Sequence, residues 1–203
     1  MSHTQVLDYW FGSWDDSVPL PDDDAEKRRW WSGLPAVDAE IREGFGALHA
    51  EVAGGAHPDW EETPRGLLAS VVTLDQFSRC LHRGSSRAFA FDAAARRLTS
   101  LALQRAWDRD MALIERAFLY MPLMHAEDRA SQRRALMLFT SLAEEAEEVG
   151  LVRADYYRGV VRFAVEHKEI IDRFGRYPHR NFPLERTSTP EEMEFIDAEG
   201  SAF

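Results

Sequence analysis

Cysteine is nearly absent: Cys80 is the single one in 203 residues. That excludes an intrachain disulfide and a cysteine-only metal cage, and it fits a reducing compartment. Long apolar runs are absent too. No stretch approaches the roughly 20 apolar residues of a membrane span. The N-terminus, Met-Ser-His-Thr-Gln-Val-Leu-Asp-Tyr-Trp, has no basic region followed by an apolar one. Neither a membrane span nor a secretory signal is expected, and the expected location is the cytoplasm. Positive charge is scarce: 24 Lys and Arg stand against 35 Asp and Glu, a formal net charge of -11. Nucleic-acid binding draws on phosphate neutralisation, and adhesion to anionic membranes on basic patches. The charge argues against both partners. The common catalytic signatures are also missing: there is no Gly-rich phosphate loop, G-x-S-x-G, H-E-x-x-H or Cys-x-x-Cys. No cofactor and no metal is assigned.

What is present describes a folded domain. Hydrophobic residues make up 45% and charged residues 29%, too apolar a balance for a disordered chain. The length suits one domain over residues 1–203. Apolar residues recur with a helical period nearly throughout, and no run alternates as a half-buried strand does. Helices are expected at Thr4–Phe11, around Trp30 and Trp31 after the Asp22-Asp23-Asp24 run, and from Pro35 to Val52. Thr63-Pro64 starts another, reaching Leu81. Further helices are expected at Arg87–Trp107, from Asp110 to a break at Pro122, at Glu127–Val149 and at Ala154–Phe174. Thr189-Pro190-Glu191-Glu192 is a capping box opening a last short helix. Eight or nine helices joined by short loops make an all-α domain of antiparallel neighbours.

Three segments place polar groups where helices should be apolar. In the first, Asp75 shares the inward row of Leu68 and Val71, and Arg79 is its i+4 partner. Gln76 and Arg83 lie on the neighbouring stripe, through Cys80. A buried aspartate needs a partner, so the pair either closes as an internal salt bridge or leaves charge for a ligand. In the second, His125 and Glu127 fall at a helix break, which can aim side chains into a cleft. They either cap the next helix or form part of a site; their spacing is not diagnostic of metal. In the third, His167 lies between Phe163 and Ile171 on an apolar stripe, a position that more often holds a hydrogen-bonded core histidine. Arg173, Arg176, Arg180 and Arg186 come after it, with His179 and Asn181 among them. Arginines near a helix end and a proline loop can hold phosphate or carboxylate, or they can neutralise carboxylates elsewhere in the chain. Cys80, beside Arg79, reads as a small buried residue rather than a nucleophile. The six tryptophans read as packing residues.

These segments resemble a family of bacterial proteins catalogued as domain of unknown function 924. The opening V-L-x-Y-W-F-G is matched by Val6 to Gly12. A Leu-Asp-Gln-Phe core with later Arg, Arg-Gly and Ala-Phe is matched by Leu74 to Phe77, Arg79, Arg83-Gly84 and Ala88-Phe89, with Asp92 after it. A Pro-x-x-His-x-Glu element is matched by Pro122, His125 and Glu127, then Gln132. The last motif runs from His167 to Asn181. Two places depart from the pattern. Ser78 and Cys80 flank Arg79 where Pro and Asn are expected, and Leu184-Glu185-Arg186 stands for Leu-Gly-Arg. The resemblance implies an all-helical, tetratricopeptide-like array of helical hairpins and supplies no activity.

The leading functional expectation is a cleft where the three segments meet, binding a small anionic ligand through phosphate or carboxylate. Its residues would be Asp75, Gln76, Arg79, Arg83, His125, Glu127, His167, Arg173, Arg176, His179, Arg180 and Asn181. His167, His125 and Glu127 are the candidates for acid–base work. One alternative is a non-catalytic module whose helical groove takes acidic peptides. Another is that the polar segments only fix helix register.

Overall fold

The computed structural model describes residues 1–21 and 24–199, and every regular element within them is helical. The helices are α1 (His3–Phe11), α2 (Ala25–Trp31), α3 (Pro35–Ala53), α4 (Pro64–Val71), α5 (Ser78–Leu81) and α6 (Asp92–Gln104). They continue with α7 (Leu113–Met124), α8 (Arg129–Glu148), α9 (Ala154–Phe174) and α10 (Pro190–Glu199). A π-helical segment, Val72–Phe77, joins α4 to α5 in one rod.

The expected caps are largely in place. Thr63 accepts from the Gly66 amide and Asp24 from the Lys27 amide; Asp22 and Asp23 lie outside the described residues. At α10 the box is reciprocal: the Glu192 amide donates to Thr189 Oγ1 and the Thr189 amide to Glu192 Oε2. The expected helix over 87–107 is shorter, because 3-10 turns at Ser86–Phe89 and Trp107–Asp110 flank α6. Between α6 and the second turn, Ala106 takes a left-handed φ of 54° that no helix can continue through.

Pro122 does not break α7, contrary to expectation; the helix runs on to Met124. A helical proline costs about 3 kcal/mol. Every residue of α7 except Arg116 is buried, and each large apolar side chain buried contributes about 1.5–3 kcal/mol. Packing outweighs the defect.

The main core gathers around α1 and the α4–α5 rod. Trp10 packs edge-on against Phe77 and Phe118, with ring centroids 5.6 and 5.5 Å away. Helices α6 to α9 each pack against the next, and loops as short as 125–128 and 149–153 make such neighbours antiparallel. A small second cluster, Ile170, Ile171 and Tyr177, ties the end of α9 to the loop after it. Gly175, at φ 72°, ends α9 in the left-handed conformation. The chain then folds back so that Tyr177 meets the α7–α8 loop. Among the described residues no helix is long and apolar enough to cross a membrane.

Candidate functional site

The π-helical turn sets the first segment. A π turn admits one more residue than an α turn and shifts the helix's facing register. All six residues of Val72–Phe77 are buried, Asp75 and Gln76 included, as are Gly66–Val71 before them, because the whole rod runs through the core. Asp75 is fully buried, and both its oxygens are bonded. Oδ1 meets His125 Nδ1 at 2.8 Å and Arg79 Nη1 at 3.1 Å. Oδ2 accepts from Gln76 Nε2 at 2.6 Å. Burial pushes the Asp75 carboxyl up, but the Arg79 guanidinium, His125 and the Gln76 bond together bring it below the usual aspartate range. Asp75 is therefore a carboxylate, and His125 must donate from Nδ1. The lone pair of the neutral imidazole then lies on Nε2.

Arg79 also reaches Asp92, at the first position of α6, with contacts of 3.1 and 3.2 Å. Asp92 in turn accepts from Arg180 Nη1 at 3.2 Å. Two guanidiniums from distant segments thus share one carboxylate. Arg180 is 6% exposed and lies between two rings, 4.6 Å from the Phe89 centroid and 4.5 Å from that of Tyr177. Its Nε is buried without a hydrogen-bond partner among the described residues.

Tyr177 anchors the third segment. Its hydroxyl bonds the Met124 carbonyl and takes a hydrogen bond from Gln132 Nε2. Its amide donates to Glu127 Oε1 at 2.8 Å. Around its ring stand His167 and His179, at centroid distances of 5.5 and 5.4 Å, and His167 lies 6.4 Å from His125. His167 Nδ1 also meets the Phe163 carbonyl at 2.8 Å. The expected apolar stripe of α9 is interrupted here, since Phe163 is exposed and Ile171 buried.

All three histidines are held neutral. Burial is the main cause in each, pushing His167 down to about 3 and His179 to about 4, aided by His125 and Arg180 respectively. Burial and Arg79 lower His125, against the pull of Asp75. The result is three neutral imidazoles beside a balanced set of two guanidiniums and two carboxylates.

The structure therefore brings together Asp75, Gln76, Arg79, His125, His167, His179 and Arg180. Glu127 stands at the edge: Arg186 grips it with two hydrogen bonds of 2.7 and 2.9 Å, and no hydrogen bond joins it to His125. Arg83 is not in the group, because both its forks are taken by Asp38 at 2.7 and 2.8 Å. Arg173 pairs with Glu191 and Arg176 with Glu192, while Asn181 donates to Ser188 and Glu192. These three fasten α10. Cys80 is buried, and burial and Asp38 push its thiol up to about 12, away from nucleophilic chemistry. Among the described residues no three His, Cys, Asp or Glu side chains form a metal-binding group.

Asp92, Phe89 and Tyr177 were missed as site residues. An aspartate in the first turn of a helix reads as a dipole partner, so only the resemblance singled out Asp92 and Ala88-Phe89. The departure at Glu185 is also explained. Its φ is 54°, the left-handed region where the pattern's glycine costs nothing. The turn is kept, and Arg186 still reaches Glu127.

The family pattern described as "bacterial protein of unknown function (DUF924)" matches residues 6–200. The chain belongs to this family. A solved structure similar to it is the protein of unknown function ATU0120 from Agrobacterium tumefaciens, 30% identical, with a TM-score of 0.75 over 97% of each chain. No curated protein matches significantly. In this family member, the motif residues that meet are Asp75, Gln76, Arg79, Asp92, His125, His167 and Arg180.

Proposed function

We propose that this cluster binds a small ligand bearing a phosphate or carboxylate group, with His125 as its acid–base residue. The carrying observation is the 2.8 Å contact between His125 Nδ1 and the fully buried Asp75. A buried carboxylate that fixes the imidazole tautomer leaves Nε2 as a positioned base, the arrangement general-base catalysis uses. The buried Arg180 Nε supports an anion nearby, since it has a donor to offer. The reaction class this favours is hydrolysis or group transfer on an anionic metabolite.

Isothermal titration with a panel of phosphate esters and carboxylic acids tests the reading, run on the wild type, His125→Gln and Arg180→Lys. Binding that is lost in variants with unchanged circular dichroism upholds it. Folded variants that bind as the wild type does, or a panel with no binder, sink it. Binding of acidic peptides instead, blocked by neither substitution, favours a peptide-docking module.

A further inference from the structure

A cleft of about 410 Å³ opens between α6 and α8, and none of its lining residues belongs to the Asp75–His125 cluster. Three arginines line it, Arg96 and Arg97 from α6 and Arg134 from α8, with the hydroxyls of Ser100 and Ser131 and a floor that includes Leu123. The volume falls in the range of small-molecule sites. In a chain of net charge -11, three guanidiniums around one concavity concentrate positive charge in one place.

The arginines are not equally committed. Arg96 Nη1 donates to Asp128 at 2.8 Å, and Arg97 holds Glu61 with two bonds of 3.0 and 2.6 Å. Both carboxylates leave further N–H groups of each guanidinium for a second acceptor. Arg134 is exposed and has no ion-pair partner among the described residues. Two carboxylates thus offset three lining arginines, and the excess cation is Arg134. Ser131 already gives its hydroxyl to Asp128; Ser100 is the hydroxyl left beside the arginines.

We propose that this cleft is a second, separate anion site, and that its ligand carries a phosphoryl group. A carboxylate offers two acceptor oxygens. The donors here exceed that: the whole of Arg134, the unspent N–H groups of Arg96 and Arg97, and Ser100. A terminal phosphoryl group offers three oxygens and more charge. Leu123 at the floor and the exposed Ala93 and Ala130 beside it would lie against a short apolar part of the ligand. The site rests on different residues from the cluster, so either can fail alone.

The probes are inorganic phosphate and pyrophosphate, with citrate as the carboxylate arm, titrated into the whole protein and followed by heteronuclear NMR. The expected result is saturable perturbation of the amides of Ser100 and Arg134 by pyrophosphate, with citrate weaker. Arg134→Ala should weaken binding by about tenfold, as loss of a charge-assisted contact does. Arg133→Ala, one residue away but outside the cleft, should leave it unchanged, and so should His125→Gln. Equal losses in Arg133→Ala and Arg134→Ala would show diffuse surface attraction and overturn the proposal. So would unperturbed α6 and α8 amides, or citrate binding more tightly than pyrophosphate.

Discussion

Asp75 and His125, 50 residues apart in sequence, meet through Oδ1 and Nδ1 at 2.8 Å. The pair joins the π-helical turn to the α7–α8 loop. Around it Arg79 and Asp92 extend the contact to Arg180, so one chain of charge-assisted bonds crosses all three motif segments.

Removing the carboxylate should be costly. Asp75→Ala leaves the Arg79 guanidinium facing a buried gap and His125 without its acceptor. Breaking one side of a buried pair costs about 3–5 kcal/mol. Urea denaturation should show that loss; a change under about 1 kcal/mol would mean the pair is solvated and not structural.

Acid should destabilise the fold before ordinary carboxylates titrate. His167 and His179 sit at about 3 and 4 in the folded chain, and burial, His82 and Arg87 lower His49 to about 4. Unfolded, each titrates near 6.5. Their contribution is intact above pH 6.5 and is lost as pH falls through the window from 6.5 to about 4, where the unfolded chain binds more protons. The slope per histidine has an upper bound of about 1.4 kcal/mol per pH unit, and partial exposure of His167 and His179 lowers it. Melting temperatures should fall as pH drops from 6.5 to 4, and His49→Gln should flatten the curve. A level profile down to pH 4.5 would contradict this.

Arg176 should act on α10 and not on a ligand. It holds the buried Glu192 through Nε and Nη2 at 2.6 and 2.8 Å, and this pairing lowers the Glu192 carboxyl to about 2. Arg176→Ala should speed hydrogen exchange in α10 while leaving ligand titrations unchanged. Unaltered exchange there would show that Phe174, Phe195 and the Thr189 cap suffice to hold the helix.

Glu185→Gly should stabilise the protein. A non-glycine residue in the left-handed region costs about 1 kcal/mol, offset in part by the unfolded freedom of glycine. A small rise in melting temperature is expected. A fall would mean that the Glu185 side chain contributes something the backbone angle does not reveal.

Much of the fold was legible in the sequence because helix ends are local. Thr63-Pro64, the Thr189 capping box and Gly175 act through residues within one turn, so their effect can be read from spacing. Pro122 was misread because its cost is local whereas the burial that overrides it is not. The site was legible only in outline. Spacing put Asp75 inward and beside Arg79, but it could not show that the rod is buried on every face, Gln76 included. Nor could it say which carboxylate each arginine meets: Arg180 joins Asp92, 88 residues away, while Arg176 takes Glu192, 16 away. Nothing in a run of four arginines distinguishes the two fates.

Ligand titration of His125→Gln against the wild type, with fold monitored in parallel, decides whether the Asp75–His125 pair serves a ligand. The expected result is an anionic small molecule that binds the wild type and is lost in a folded variant. A ligand bound equally well by both would place function elsewhere and leave Asp75 and His125 as a structural pair.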